Sequence, residues 1–155
     1  MTAPELAPVC EIVVELGEPR GFGLTRDGER RFTPIVGGEL RGIADAEIGD
    51  AVRALRAEIL PGGGDRQLVR AASSQPDGTT ALEIDARYDA RSPEGALIGV
   101  HATGIRRAGV SGVYFRAMIR FETADPALAE LQDALFVADG VREADRVRHT
   151  VYRLT

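Results

Sequence analysis

The stretch from Ala81 to Arg91, ALEIDARYDAR, alternates without a break. Leu82, Ile84, Ala86, Tyr88 and Ala90 fall on one side at a period of two, and Glu83, Asp85, Arg87, Asp89 and Arg91 fall on the other. That is the pattern of a strand with one apolar and one ionisable face. Turn signals bracket it, Pro76-Asp77-Gly78 before and Pro93-Glu94-Gly95 after, so both sequence neighbours are expected to pair with it as antiparallel hairpins.

Read as type I turns with the glycine in a left-handed bulge, the two signals pair Gln75 with Thr79 and Ser92 with Ala96. Counting back sets Arg87 opposite Gln67 and His101, Asp85 opposite Val69 and Thr103, and Asp89 opposite Asp65. On the reverse face Leu82, Ile84, Ala86, Tyr88 and Ala90 then line up with Leu68, Ala72, Ile98, Val100 and Ala102. A slip of one residue destroys that match.

The same alternation predicts strands over Val9–Leu16, Arg31–Arg41, Arg56–Leu60, Asp65–Ala71, Val113–Thr123, Leu135–Ala138 and Val147–Leu154. Gly37-Gly38 interrupts the second of these, which points to a bulge or a tight corner. Residues 17–29 read as a loop, and Ala44–Ala57 as a short helix with Ile48, Val52 and Leu55 on one face. Asp125-Pro126 opens a helix reaching about Ala134, with Asp as N-cap and Leu128, Leu131 and Leu135 as its apolar stripe. Roughly eight strands joined by hairpins, with one helix plugging or flanking an end, suggest an all-β fold: a single up-and-down antiparallel β-barrel spanning residues 1–155, which leaves no exposed edge.

Composition narrows the partners. At 155 residues and 44% hydrophobic the chain suffices for one core. A net charge of -5 offers no basic field for a phosphate backbone, so nucleic acid is not an expected partner. Cys10 is the single cysteine, which excludes an intrachain disulfide, and it reads as a small buried hydrophobe. No apolar run approaches a membrane span and no secretory leader is visible, so the expected compartment is the cytoplasm.

Several chemistries fall away. Gly21-Phe22-Gly23 lacks the context of a dinucleotide fingerprint, Pro61-Gly62-Gly63-Gly64-Asp65 lacks the lysine of a phosphate loop, and Ser111 is not in a nucleophile elbow. The two histidines, His101 and His149, stand on separate strands without paired ligand spacing, so neither a metal nor a cofactor is expected. What remains is the polar face formed by Asp65, Gln67, Asp85, Arg87, Asp89, His101 and Thr103. On one reading it is a solvated outer surface. On the sharper one it lines a pocket with Tyr114, Arg116 and Glu122, where Asp85 or His101 moves a proton while Arg87 holds an anionic or enolate oxygen. Tyr88 and Phe115, on the apolar face, read as core.

At RRFTPIVGGELRG, ILPGGGDRQLVR, LEIDARYDARSPEGALIGV, YFRAMIRFETADPAL and the closing VYRL, the chain resembles the bacterial and fungal domain-of-unknown-function 3237 family, from about Arg30 to Leu154. The resemblance implies a compact β-barrel of lipocalin-like outline, acting as an enzyme or a binding protein for small organic molecules. The family pattern carries Gly37, Gly38, Gly62, Gly63, Asp65, Gln67, Asp85, Arg87, Tyr88, Tyr114, Arg116, Phe121 and Glu122 onto this sequence. From the acids, the histidine and the arginines on neighbouring strands, Asp85, Arg87 and His101 are the catalytic candidates, with Asp65, Gln67, Tyr88, Tyr114, Arg116 and Glu122 as ligand contacts. The expected function is a cofactor-independent isomerase, cyclase or lyase; the alternatives are a non-catalytic ligand-binding barrel and a scaffold subunit that buries an apolar outer face in a homodimer.

Overall fold

A computed structural model describes residues 2–71, 79–109 and 112–155. Its strands are β1 (Leu6–Leu16), β2 (Arg20–Thr25), β3 (Gly28–Gly42), β4 (Arg56–Ile59), β5 (Gly63–Ala71), β6 (Thr80–Arg91), β7 (Leu97–Gly109), β8 (Gly112–Thr123), β9 (Phe136–Asp139), β10 (Val141–Arg142) and β11 (Arg146–Leu154). Eight positions close a ring in the order β1, β3, β5, β6, β7, β8, β9, β11, every neighbour antiparallel, with β11 returning to β1. β4 continues the position of β5, since it also lies between β3 and β6. The barrel expected from the sequence is the fold observed.

Glycine makes the sharpest bend possible. Glu15 pairs with Gly37 but Leu16 pairs with Ile35, so Val36 is the extra residue of a bulge. The bulge reverses the parity of β3 and turns both Ile35 and Leu40 inward. Gly38 has φ +133, and a Cβ there would lie 2.0 Å from the carbonyl oxygen of Val13, so no other residue fits this corner.

One end of the barrel is shut by two short helical turns. Only Asp50–Arg53 within the expected helix is helical (α1), yet Ile48, Val52 and Leu55 are all buried as the spacing required. The segment Pro126–Gln132 is a 3-10 helix, not an α-helix, capped by Asp125 Oδ1 accepting from the Ala127 N–H at 2.9 Å. Leu128 and Leu131, three apart, eclipse on its buried side, whereas Leu135 is exposed. Glu130 Oε2 accepts the Gly49 N–H at 2.7 Å and ties the two turns together. Beneath them Val9, Ile12, Leu40, Ile59 and Ile98 form the core with Leu131 of the second turn, each worth about 1.5–3 kcal/mol of burial.

Residues 20–25, expected as loop, instead form β2, an exposed ribbon hydrogen-bonded to the start of β3. Their glycines and lack of a buried face hide the strand from any periodicity test. The turn around Ser111 and the pairing of Gln75 with Thr79 lie outside the described residues.

The hairpin between β6 and β7 has the expected register. Ser92 donates to the Ala96 carbonyl, Gly95 adopts φ +91, and Arg87 lies opposite His101, Asp85 opposite Thr103. The hairpin between β5 and β6 does not. Gly64, not Gln67, is opposite Arg87; Asp65 is opposite Ala86, not Asp89; and Val69 is opposite Leu82, not Asp85. Ala71 pairs with Thr80, a shift of three residues from the register that the assumed turn sets. The resulting offset is odd, and it sends Asp65 and Gln67 through the sheet to the interior while Leu68, expected inside, pairs with Glu83 on the outer side.

Candidate functional site

The open end of the barrel, where β6 begins and β7 ends, has a polar interior. Inward positions there carry Arg31 and Thr33 from β3, Asp65 and Gln67 from β5 and Arg106 from β7, and the exposed Arg142 of β10 also lines the opening. With Leu82, Ile84, Phe115 and Val147 they enclose a cavity of about 230 Å³. It adjoins a wider depression of about 560 Å³ that shares Arg31, Leu82 and Arg106.

Asp65 and Gln67 are only 8% and 7% exposed, and a hydrogen-bonded chain holds them. Arg31 Nε donates to Gln67 Oε1 at 2.8 Å and the Thr33 hydroxyl to the same oxygen at 3.3 Å. That fixes the amide with its nitrogen toward Asp65, where Nε2 donates to Oδ2 at 2.9 Å. The other carboxylate oxygen, Oδ1, accepts the backbone N–H of Asp85 at 2.9 Å. Burial pushes the Asp65 carboxyl above the usual carboxylate range; the two hydrogen bonds and the Arg31 charge oppose the shift without cancelling it.

Arg106, on β7 and so two strands along from Asp65, has its Nε buried and unpartnered. Burial, then the charges of Arg142 and Arg31, lower its pKa. Deeper in the wall, the Tyr88 hydroxyl is also buried without a hydrogen-bond partner, and burial raises its pKa. His149, 5% exposed, meets the ring of Phe115 edge-on with centroids 5.4 Å apart. Its Nδ1 is 2.6 Å from the Asp139 carbonyl, which can only accept, so Nδ1 carries the proton. Burial lowers the His149 pKa.

The catalytic candidates from the sequence do meet, but on the outside of the barrel. His101 Nε2 is 2.8 Å from Asp85 Oδ1, and Arg87 Nε is 4.0 Å from the same oxygen. The side chains of Arg87, Asp85 and His101 are 75%, 53% and 31% exposed. Arg87, His101, Arg120 and Glu122 border a shallow outer groove of about 390 Å³. Tyr114 and Arg116 are outside as well, further along the same sheet, where Arg107 and Arg116 stack their guanidinium groups on the Tyr114 ring at 4.7 and 5.6 Å. Met118, Ile105 and Val137 line an apolar outer groove beside them. Asp65 and Gln67 are therefore separated from Asp85, Arg87 and His101 by the thickness of the sheet, and Tyr88 is on the inner side with them.

Arg31, Thr33, Arg106 and Arg142 were not among the residues expected at a site. One signal for Arg106 is present in the sequence: Ile98, Val100, Ala102, Gly104 and Arg106 share a parity, so a strand prolonged past Ile105 ends with an arginine facing inward. Among the described residues no group of three His, Cys, Asp or Glu side chains is disposed to hold a metal ion. No described helix is long and apolar enough to cross a membrane.

A family model described as a protein of unknown function, DUF3237, matches residues 4–154. The chain belongs to the DUF3237 family. A UPF0311 protein of Rhodopseudomonas palustris is 29% identical, covering 94% of this chain and 94% of its own. A β-barrel-like protein of Acinetobacter baumannii superimposes with a TM-score of 0.82 at 26% identity, over 100% of this chain and 98% of the other. Two fungal proteins are more distant. PR-toxin biosynthesis cluster protein 7 of Penicillium roqueforti is 39% identical over 71 residues, 43% of this chain and 38% of that one. An enzyme from Penicillium herquei shares the fold alone, with a TM-score of 0.65 at 15% identity over 100% of this chain and 97% of that one.

Proposed function

We propose that this DUF3237 barrel binds a small organic molecule in its open end and carries out cofactor-independent acid–base chemistry on it, as an isomerase, cyclase or lyase, with Asp65 as the proton-transfer group. The observation that carries the proposal is the Asp65 carboxyl, buried at the cavity wall, anchored through both oxygens and facing a set of arginines. A carboxyl raised by burial is a better base than one in water once ionised, because its proton affinity lies closer to neutral pH. Asp65 takes a proton from an acidic C–H or O–H of the substrate, and a guanidinium stabilises the oxyanion or enolate that forms. Return of the proton to another atom gives an isomer or a cyclised product; expulsion of a leaving group gives a lyase product. Neither route requires an oxidant or reductant. The fungal biosynthesis-cluster protein and the fungal enzyme are consistent with small-molecule chemistry on this fold.

A second reading, favoured by the 2.8 Å contact between His101 and Asp85, assigns the chemistry to the outer trio of Asp85, Arg87 and His101, with Glu122 as a ligand contact in that groove. The two separate in one experiment. A bacterial metabolite extract is incubated with the wild type, Asp65→Asn, Asp85→Asn and His101→Gln, and followed by mass spectrometry. The lumen reading expects a compound converted to a product of equal mass, or to two fragments, by every protein except Asp65→Asn. Loss of conversion in the Asp85 and His101 variants alone moves the chemistry to the outer face. Depletion of a compound onto the protein without any product identifies a non-catalytic binding barrel.

A further inference from the structure

Three arginines converge on the open-end cavity, and among the described residues none forms an ion pair. Arg31 donates to the Gln67 amide, Arg142 reaches only the Ala144 carbonyl at 3.4 Å, and the Nε of Arg106 is buried with no acceptor. Among the described residues the single carboxylate on the cavity wall is Asp65, which already accepts from Gln67 and from the Asp85 backbone. The wall thus holds three cations against at most one anion in a chain whose net charge is -5. Like charges gathered at the mouth of a low-dielectric cavity repel one another unless an anion enters, so the arrangement is unfavourable empty and relieved when occupied.

From this we infer that the ligand is an organic carboxylate, its charged group held by Arg31, Arg106 and Arg142 and its apolar body against Leu82, Ile84 and Phe115. The inference rests on the lumen reading of the site and names its substrate class. A planar guanidinium presents paired N–H donors that match the two oxygens of a carboxylate, and the orphaned Nε–H of Arg106 supplies one of them. An inorganic anion of the same charge would leave the aromatic and aliphatic wall unused, which is why the organic acid is favoured over free phosphate. The arginines fix the acid group while Asp65, linked to Arg31 through Gln67, is left to act on a neighbouring carbon or hydroxyl.

The test is calorimetric titration of the full chain with benzoate, phenylacetate and salicylate, each beside its neutral amide and beside inorganic phosphate. At least one acid is expected to bind at least tenfold more tightly than its amide and than phosphate. Arg106→Met and Arg142→Met are each expected to weaken that acid by about tenfold, while Arg56→Met, ion-paired to Glu39 near the shut end, binds as the wild type. Arg142 is on an exposed two-residue strand, so its variant keeps the test valid if Arg106→Met fails to fold. Amides binding as well as acids, no acid binding, or arginine variants indistinguishable from the wild type overturns the inference; phosphate binding as tightly as every acid overturns the organic class. Acid binding that survives alongside undiminished turnover by Asp65→Asn leaves the carboxylate site standing and removes Asp65 from the chemistry. Asp65-dependent turnover of a neutral compound does the reverse.

Discussion

Asp65 and Asp85 are joined through the sheet: Oδ1 of the first accepts the backbone N–H of the second at 2.9 Å, while the side chain of Asp85 projects the other way and meets His101 at 2.8 Å. One peptide unit thus braces the inner carboxylate and carries the outer one. Because the inner contact uses backbone, substitution of Asp85 leaves it in place, and the two faces can be probed independently.

The raised pKa of Asp65 makes a signed prediction. The folded protein holds that proton more tightly than the unfolded chain, whose value is near 3.8, so the contribution of Asp65 to stability is intact below that pH and is lost as pH rises through the folded value. Asp65→Asn removes the titration. Denaturant unfolding at a series of pH values from 3 to 7 is expected to show the wild type losing ground against the variant, with a slope no steeper than about 1.4 kcal/mol per pH unit. A constant or widening advantage for the wild type would contradict the burial argument.

His149 has the opposite sign. Burial holds its folded pKa below 6.5, so its contribution is present above pH 6.5 and is lost as pH falls through the folded value. His149→Gln is expected to be less stable than the wild type at pH 8, with the gap closing below pH 6.5. Parallel pH profiles for the two proteins would show that His149 does not titrate on unfolding.

Gly38→Ala is expected to cost about 2–4 kcal/mol, because φ +133 and the Val13 carbonyl both exclude a Cβ. Thermal unfolding measures it. Gly21→Ala, at a position with open space around it, is the matched control and should shift the midpoint little. Equal midpoints for the two variants would mean the corner relaxes freely.

Cys10 is wholly buried, and burial together with the Glu11 charge pushes its thiol up to about 12. In the native protein at pH 8 the thiolate is a negligible fraction, so labelling by an aromatic disulfide reagent should proceed only as fast as the barrel opens. Added denaturant is expected to accelerate labelling in step with unfolding. Rapid stoichiometric reaction of the folded protein would refute the placement of β1.

Much of this architecture is visible in the residues because its local rules agree. Ser92, Gly95 and Ala96 set the register between β6 and β7, and strict alternation sets the inner faces of β6 and β8. The interior of the open end escapes for the reason that it is polar. On β5 the inward residues are Asp65 and Gln67 and an outward one is Leu68, so a rule that buries the apolar row assigns that strand backwards. Arg106 and Arg142 are hidden in the same way, one near the far end of β7 and one on a strand of two residues. The 3-10 turn at Pro126–Gln132 was legible in its cap and its two leucines, not in its helix type.

The pairing of β1 with β11 joins Leu6 to Leu154 and makes the first and last strands neighbours. On a ribosome, the N-terminal ribbon therefore emerges with one edge bare and waits for almost the entire remainder before its partner exists. The ring cannot close before β11 is present, and a nascent chain halted ahead of it would expose a sheet margin that invites pairing with a second unfinished copy.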